Sequence, residues 1–327
     1  MINYRPLLAA ILLLLPCGAG AIDHPGITAS THADGRFDLI LSGVPAAVIT
    51  DPSDLPGVRI AAETLREDFM RVCGTKAPAE GKRPIYAGTK DSPLIRSLAA
   101  EGRIDIRPLE GQYETYVLRV TEDGVIVAGA DLRGTIYGIY EISEQIGVSP
   151  WYDWADVPVP HSSDLSVAAG TYTVAEPGVR YRGIFLNDEA PCLTSWVQNT
   201  YGTDYGDHRF YARVFELLLR LRANFLWPAM WNWSFYADDP LNSSTAAEMG
   251  VIMGTSHHEP MARNHQEWVR KRGSDGAWDY RTNRKNLDRF FAEGVRRAAG
   301  TEDLITIGMR GDGDEAMGQE GHEAEYL

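Results

Sequence analysis

Arg182-Gly183-Ile184-Phe185-Leu186-Asn187-Asp188-Glu189 is a short apolar run that ends in three polar residues. It reads as a short apolar strand that delivers chemistry at its carboxyl end. The same pattern returns at residues 224–231, 251–259 and 304–311. Between these runs the period changes to that of a helix. Residues 208–222 place Phe210, Tyr211, Val214, Phe215, Leu218 and Leu221 on one side, residues 244–249 lie on a helix, and residues 283–299 bury Leu287, Phe290, Phe291 and Val295. Four strands alternating with helices predict a parallel sheet joined by right-handed crossovers. Polar clusters at the carboxyl ends of all four strands are the layout of a (β/α)8 barrel, whose active site occupies that face. The expected class is therefore α/β, with residues 179–327 forming the first half of such a barrel.

Working outward, residues 22–178 predict a small N-terminal α/β accessory domain. Ala61, Leu65, Phe69 and Val72 mark one helical face, which Gly74 stops in a left-handed cap position. Residues 83–88 read as a strand, and residues 115–120 and 125–128 flank Glu122-Asp123-Gly124 as a hairpin. Ile136, Ile139, Tyr140 and Ile146 form a second helical stripe, closed by Gly147. The Pro/Ser/Ala-rich residues 158–178, with Pro158, Pro160 and Pro177, read as a domain boundary. Ahead of all this, Arg5, the apolar residues 7–15 and the small residues Gly18, Ala19, Gly20 and Ala21 have the layout of a signal peptide over residues 1–21. A secreted or periplasmic protein is expected. Its remaining cysteines, Cys73 and Cys192, are expected as free, buried thiols. The 327-residue chain carries 31 Lys+Arg against 45 Asp+Glu, a net charge of −14. That field repels phosphate, so neither nucleic acid nor an anionic membrane is expected as a partner.

The strand ends carry the chemistry. They hold Asn187-Asp188-Glu189; then Trp227, Trp231, Asn232 and Trp233; then His257-His258-Glu259; then Arg310, Asp312, Asp314 and Glu315. Tryptophan faces suit the apolar faces of sugar rings, and the indole N–H reaches a hydroxyl. Trp151 adds another ahead of the boundary. Paired carboxylates are what glycoside hydrolysis requires, one to protonate the leaving oxygen and one to attack or to activate water. Arg310 is expected either as a local counterion for an anionic sugar in an otherwise acidic protein or as the salt-bridge partner of Asp188 or Asp314. His257, His258, Glu259 and His265 lack the His-x-x-x-His spacing of helical zinc sites, and adjacent histidines on a strand point to opposite faces. Hydrogen bonds from histidine to sugar hydroxyls are expected, with no metal and no cofactor.

These motifs resemble glycoside hydrolase family 115, the xylan α-1,2-glucuronidases. The resemblance rests on residues 181–189, on Asn224-Phe225-Leu226-Trp227-Pro228-Ala229-Met230-Trp231, on Met253-Gly254-Thr255-Ser256-His257-His258-Glu259-Pro260-Met261 and on Ile307-Gly308-Met309-Arg310-Gly311-Asp312-Gly313-Asp314. The front domain is similar to the non-catalytic domain of that family and of hexosaminidase-like relatives. The resemblance implies inverting removal of glucuronic acid, or its 4-O-methyl ether, from glucuronoxylan or decorated xylo-oligosaccharides. It implies Trp151, Asn187, Asp188, His257 and Arg310 as substrate contacts and Asp314 as general base or acid. Glu189, Trp227, Trp231, His258 and Asp312 complete the candidate set. The second catalytic carboxylate is expected beyond residue 327, because residues 180–327 hold little more than half of the roughly 250 residues of a complete barrel. A truncated catalytic domain that releases no uronic acid is the resulting expectation. Two alternatives are a non-catalytic sugar-binding module and a different glycosidase such as a hexosaminidase.

Overall fold

The computed structural model describes residues 23–316 except 230 and 309. The expected signal peptide and the chain beyond residue 316 lie outside them.

The N-terminal region runs β1 (Thr28–Ala29), β2 (Arg36–Leu41), β3 (Val44–Pro45), β4 (Ala47–Thr50), α1 (Pro56–Cys73), β5 (Pro84–Thr89), α2 (Pro93–Ala100), β6 (Tyr116–Thr121), β7 (Gly124–Gly129), α3 (Leu132–Gln145), β8 (Leu165–Ala168) and β9 (Gly170–Thr173). Pro56 opens α1, where its missing N–H costs nothing. Ala61, Leu65, Phe69 and Val72 are buried along α1, and Gly74 closes it at φ +75°. The helical face and its stop were both legible. So was the hairpin, since β6 and β7 pair antiparallel across residues 122–123. A five-stranded sheet of order β4-β5-β7-β6-β9 carries α1 and α3, beside a four-stranded sheet of order β1-β8-β2-β3.

The residues read as a boundary, 158–178, hold two of these strands. Ser166 and Val167 are buried in β8, which lies between β1 and β2, and β9 is the edge of the larger sheet. The proline and serine content concealed a two-residue alternation short enough to pass for linker. Cys73 is buried as expected, but Cys192 is exposed; both thiols are free.

The second region runs β10 (Gly183–Asn187), α4 (Cys192–Tyr201), α5 (His208–Arg220), β11 (Phe225–Ala229), α6 (Phe235–Asp238), α7 (Leu241–Met249), β12 (Ile252–Met253), α8 (His265–Asp275) and α9 (Tyr280–Ala298). Its three strands form one parallel sheet in chain order, with Gly183 opposite Phe225 and Phe225 opposite Ile252. A Cβ on Gly183 would sit 1.9 Å from the Phe225 carbonyl oxygen, so only glycine admits this approach of β10 to β11. The sequence-based expectation of parallel strands with helical crossovers describes this region well at β10 and β11.

It fails at the next two strands. β12 covers two residues where nine were expected. Past Gly254 the chain bonds to itself: the Thr255 hydroxyl donates to the Glu259 carbonyl (2.6 Å) and the Glu259 N–H to the Ser256 carbonyl (2.9 Å). Such local bonds compete with a sheet ladder. Residues 304–308 form no strand either. Leu304 N–H donates to the Met253 carbonyl (2.8 Å), but the Thr306 carbonyl is taken by Met261 N–H (2.9 Å) from the loop after β12. One backbone bond does not make a ladder.

Buried charge joins the two regions. Glu114, between α2 and β6, is nearly inaccessible and accepts from Arg133 Nε (2.5 Å) and from Asn224 Nδ2 (2.7 Å), with Arg182 on its other oxygen. Asn224 Oδ1 in turn accepts from Arg182 N–H (2.9 Å). Arg182 and Asn224 are the residues immediately before β10 and β11, so this carboxylate fixes the start of both strands. Arg220 at the end of α5 bonds to Asp68 of α1 (2.8 Å), with both side chains essentially buried.

Candidate active site

The site is built where β10, β11 and β12 release their chains. Asp188, the residue after β10, is buried and its carboxylate accepts three backbone N–H bonds: from Trp231 (2.6 Å), Asn232 (2.9 Å) and Trp233 (2.9 Å). Its role is to hold the turn that follows β11. That leaves the Trp231 ring exposed, tilted against His258 at 6.3 Å between ring centres. Asn187 donates to Glu189 Oε1 (2.9 Å), while its own Oδ1 is buried without a partner. Trp227 packs edge-on to Phe185 across β10 and β11, and its indole nitrogen is likewise buried and unpartnered.

The loop after β12 is organised by Glu259. Its buried carboxylate accepts from Ser256 N–H, Asn264 Nδ2 and His265 N–H, each at 3.2 Å. Burial pushes this carboxyl up to about 8, and the three donors only partly offset that. His257 and His258 therefore sit on a tight turn and not on a strand, so the expected divergence of adjacent side chains does not occur. Their rings are 5.2 Å apart and both approach Asp314.

Asp314 ends a short 3-10 turn, Asp312–Asp314, in which Gly313 and Asp314 both have positive φ, +71° and +70°. Its Oδ1 lies 2.8 Å from His257 Nε2, 3.2 Å from Arg310 Nε and 4.0 Å from His258 Nδ1. Partial burial opposes its ionisation, but the His257 hydrogen bond and the nearby positive charges outweigh that, and the carboxyl sits below its ordinary range. Burial lowers both His258 and His265, which favours their neutral forms. Asp312 faces His265 Nε2 (2.9 Å) and Arg272, and the Arg310 carbonyl accepts from the Trp278 indole (3.0 Å). A cleft of about 370 Å³ is lined by Trp231, His258, His265, Gln266, Arg272 and Asp312, among others.

Eight of the sequence-derived candidates thus meet here: Asp188, Trp231, His257, His258, Arg310, Asp312 and Asp314 directly, with Asn187 through its neighbour Asp188. Trp151 is not joined to them by any hydrogen bond, ion pair or ring contact among the described residues. It is exposed on the turn after α3, where Tyr152 and Trp154 pack towards α5. The sequence reading missed the organising role of Glu259 and all of α8, which presents His265, Gln266 and Arg272 to the cleft. The signal for α8 was present: Asn264 and Glu267 form a reciprocal capping box.

A carboxylate, an arginine and a histidine turn beside an exposed indole, at the carboxyl ends of parallel strands, are the parts of a carbohydrate-active site. A family model described as glycosyl hydrolase family 115 matches residues 174–327. The chain is also similar to the solved structure of BtGH115A, a family GH115 4-O-methyl-α-glucuronidase with specificity for decorated arabinogalactans. Identity is 37% and the TM-score 0.79, over 89% of this chain and 38% of that one. The chain belongs to glycoside hydrolase family 115, as its motifs led us to expect. It spans 38% of the length of that relative. A chitobiase of Flavobacterium johnsoniae shares the fold alone, at 11% identity and TM-score 0.50 over 87% of this chain and 43% of that one. No curated protein matches.

Proposed function

We propose that the protein acts on α-1,2-linked glucuronic acid, or its 4-O-methyl ether, on xylan, with inversion at the anomeric carbon. The observation that carries this reading is Asp314 held between His257 and Arg310, with Asp314 and His257 next in the chain to Gly313 and His258 of the cleft lining. An inverting glycosidase needs one ionised carboxylate to activate water and one protonated carboxyl to release the leaving oxygen. Asp314, held below its ordinary range, is suited to the base. Arg310 reaches into the same space and pairs with the uronate carboxylate, and His257 donates to a ring hydroxyl. The Trp231 face packs against the sugar. Asp188 and Glu259 are spent on backbone N–H groups, and Asp312 is paired with His265 and Arg272. The acid is therefore not one of these three, and, on the family resemblance, we assign it to a residue outside the described ones. Residues 22–178 are an accessory domain in this reading, residues 179–327 part of a (β/α)8 barrel, and residues 1–21 direct export. Among the described residues no helix is long and apolar enough to cross a membrane.

The test is incubation of the whole chain with glucuronoxylan and with uronic-acid-decorated arabinogalactan, following uronic acid release and its anomer by NMR. This reading departs from the expectation of an inactive half barrel: released β-anomer, lost by roughly 10²–10⁴-fold in Asp314→Asn, is the expected result for a working base. Product of retained configuration, or hydrolysis of an N-acetylhexosaminide in preference to both polymers, overturns the reading. Binding of decorated but not plain xylo-oligosaccharide without any release would identify a sugar-binding module instead.

A further inference from the structure

We propose that His257, His258 and Asp314 bind a divalent transition-metal ion of the zinc class. Each residue offers one ligand atom, and the three atoms lie within 4.8 Å of one another. His257 Nε2 is 2.8 Å and His258 Nδ1 4.0 Å from the same Asp314 oxygen. Ligands about 2.1 Å from a tetrahedral centre stand about 3.4 Å apart, which these two separations bracket. A second observation points to a ligand independently. The His258 side chain is only 7% exposed, yet its Nδ1 has no hydrogen-bond partner and is aimed at Asp314. Buried polar atoms are normally satisfied, and an ion between the two rings and the carboxylate would satisfy this one.

The donor set selects the ion. Two imidazoles and one carboxylate suit zinc, cobalt or ferrous iron, whereas calcium and magnesium want mostly oxygen. Ser256 Oγ lies 3.4 Å from His257 Nδ1, the outer contact that would fix which ring nitrogen faces the ion. His257 is more than half exposed, so a fourth position is open to solvent. One group opposes the ion: Arg310 Nε shares the Asp314 oxygen at 3.2 Å. Its side chain is nearly half exposed and can leave, but a cation must compete with it. Removing Arg310 should therefore tighten metal binding, the opposite of its expected effect on a uronic acid. The inference goes beyond the glycosidase reading: an ion on Asp314 occupies the base and would inhibit release of uronic acid, and its binding is measured whether or not release occurs.

The experiment titrates the metal-free whole chain with Zn²⁺ by calorimetry and with Co²⁺ by visible absorption. We expect one ion per chain, and a Co²⁺ band that vanishes in His257→Ala. Affinity should fall in His257→Ala and in Asp314→Asn by more than the roughly 10–100-fold lost on removing an outer-shell partner, and rise in Arg310→Ala. Both weakening substitutions fall on partly exposed side chains, so loss of fold does not confound them. Zinc affinity unchanged in His257→Ala and Asp314→Asn, no stoichiometric binding, or weaker binding in Arg310→Ala would each overturn the proposal.

Discussion

The two regions of the molecule use their buried carboxylates differently. In the N-terminal region Asp68, Glu114 and Glu141 are fully buried and face arginines of the second: Arg220, Arg182 and Arg222. In the second region the buried carboxylates at the strand ends, Asp188 and Glu259, face backbone N–H groups of loops, while Glu267 of α8 pairs with Arg263 and Arg297 within the same region. The first set locks one unit to the other. The second set shapes the loops at the strand ends, so that Trp231, His257, Arg310 and Asp314 are presented partly exposed. Sealed charge supports the fold, and half-open charge remains for a ligand.

Removing one partner of the sealed set should have the largest effect. Arg220→Ala leaves buried Asp68 with only the partly exposed Arg71 as its cation, and we expect a loss of about 3–5 kcal/mol of stability, read from urea midpoints. A loss under 1 kcal/mol would show that this pair does not lock the two regions. Next, Asp188→Ala strands three N–H groups at a loop. It should cost about 2–3 kcal/mol and shift the fluorescence of exposed Trp231. A cost without the shift would mean that Asp188 supports the fold but does not place the indole.

A third expectation separates burial from pairing. Burial pushes Glu144, at the end of α3, up to about 7, although Arg222 lies 3.3 Å away. A carboxyl raised on folding contributes stability fully present below its unfolded value near 4.5 and lost as pH rises through about 7. Between pH 5 and pH 8 the protein should lose roughly 2 kcal/mol more than Glu144→Gln does, by parallel urea titrations. Identical losses would place the control of Glu144 with Arg222 and not with burial.

Particular residues show what the sequence could and could not reveal. β10 and β11 were legible because each is a short apolar run followed by polar residues, although Ile184 and Phe185 of β10 are themselves exposed. β12 was overread because Thr255, Ser256 and Glu259 bond locally, an outcome that hydropathy does not register. The chemistry-bearing residues were legible as strand-end clusters. The meeting of His257 and His258 at Asp314 was not, since it depends on a turn closed by Glu259 and on residues 57 positions apart. The Glu114 anchor joins residues 68 and 110 positions apart, which no local pattern encodes.

We propose that Arg310 and Asp314 form the recognition end of a uronic acid site. Calorimetry of wild type and Arg310→Ala with a 4-O-methylglucuronyl xylo-oligosaccharide tests it most directly. Loss of a charge-assisted contact should weaken binding by about 10–100-fold, while plain xylo-oligosaccharide is unaffected. Equal affinity of both proteins for the decorated sugar would contradict the claim.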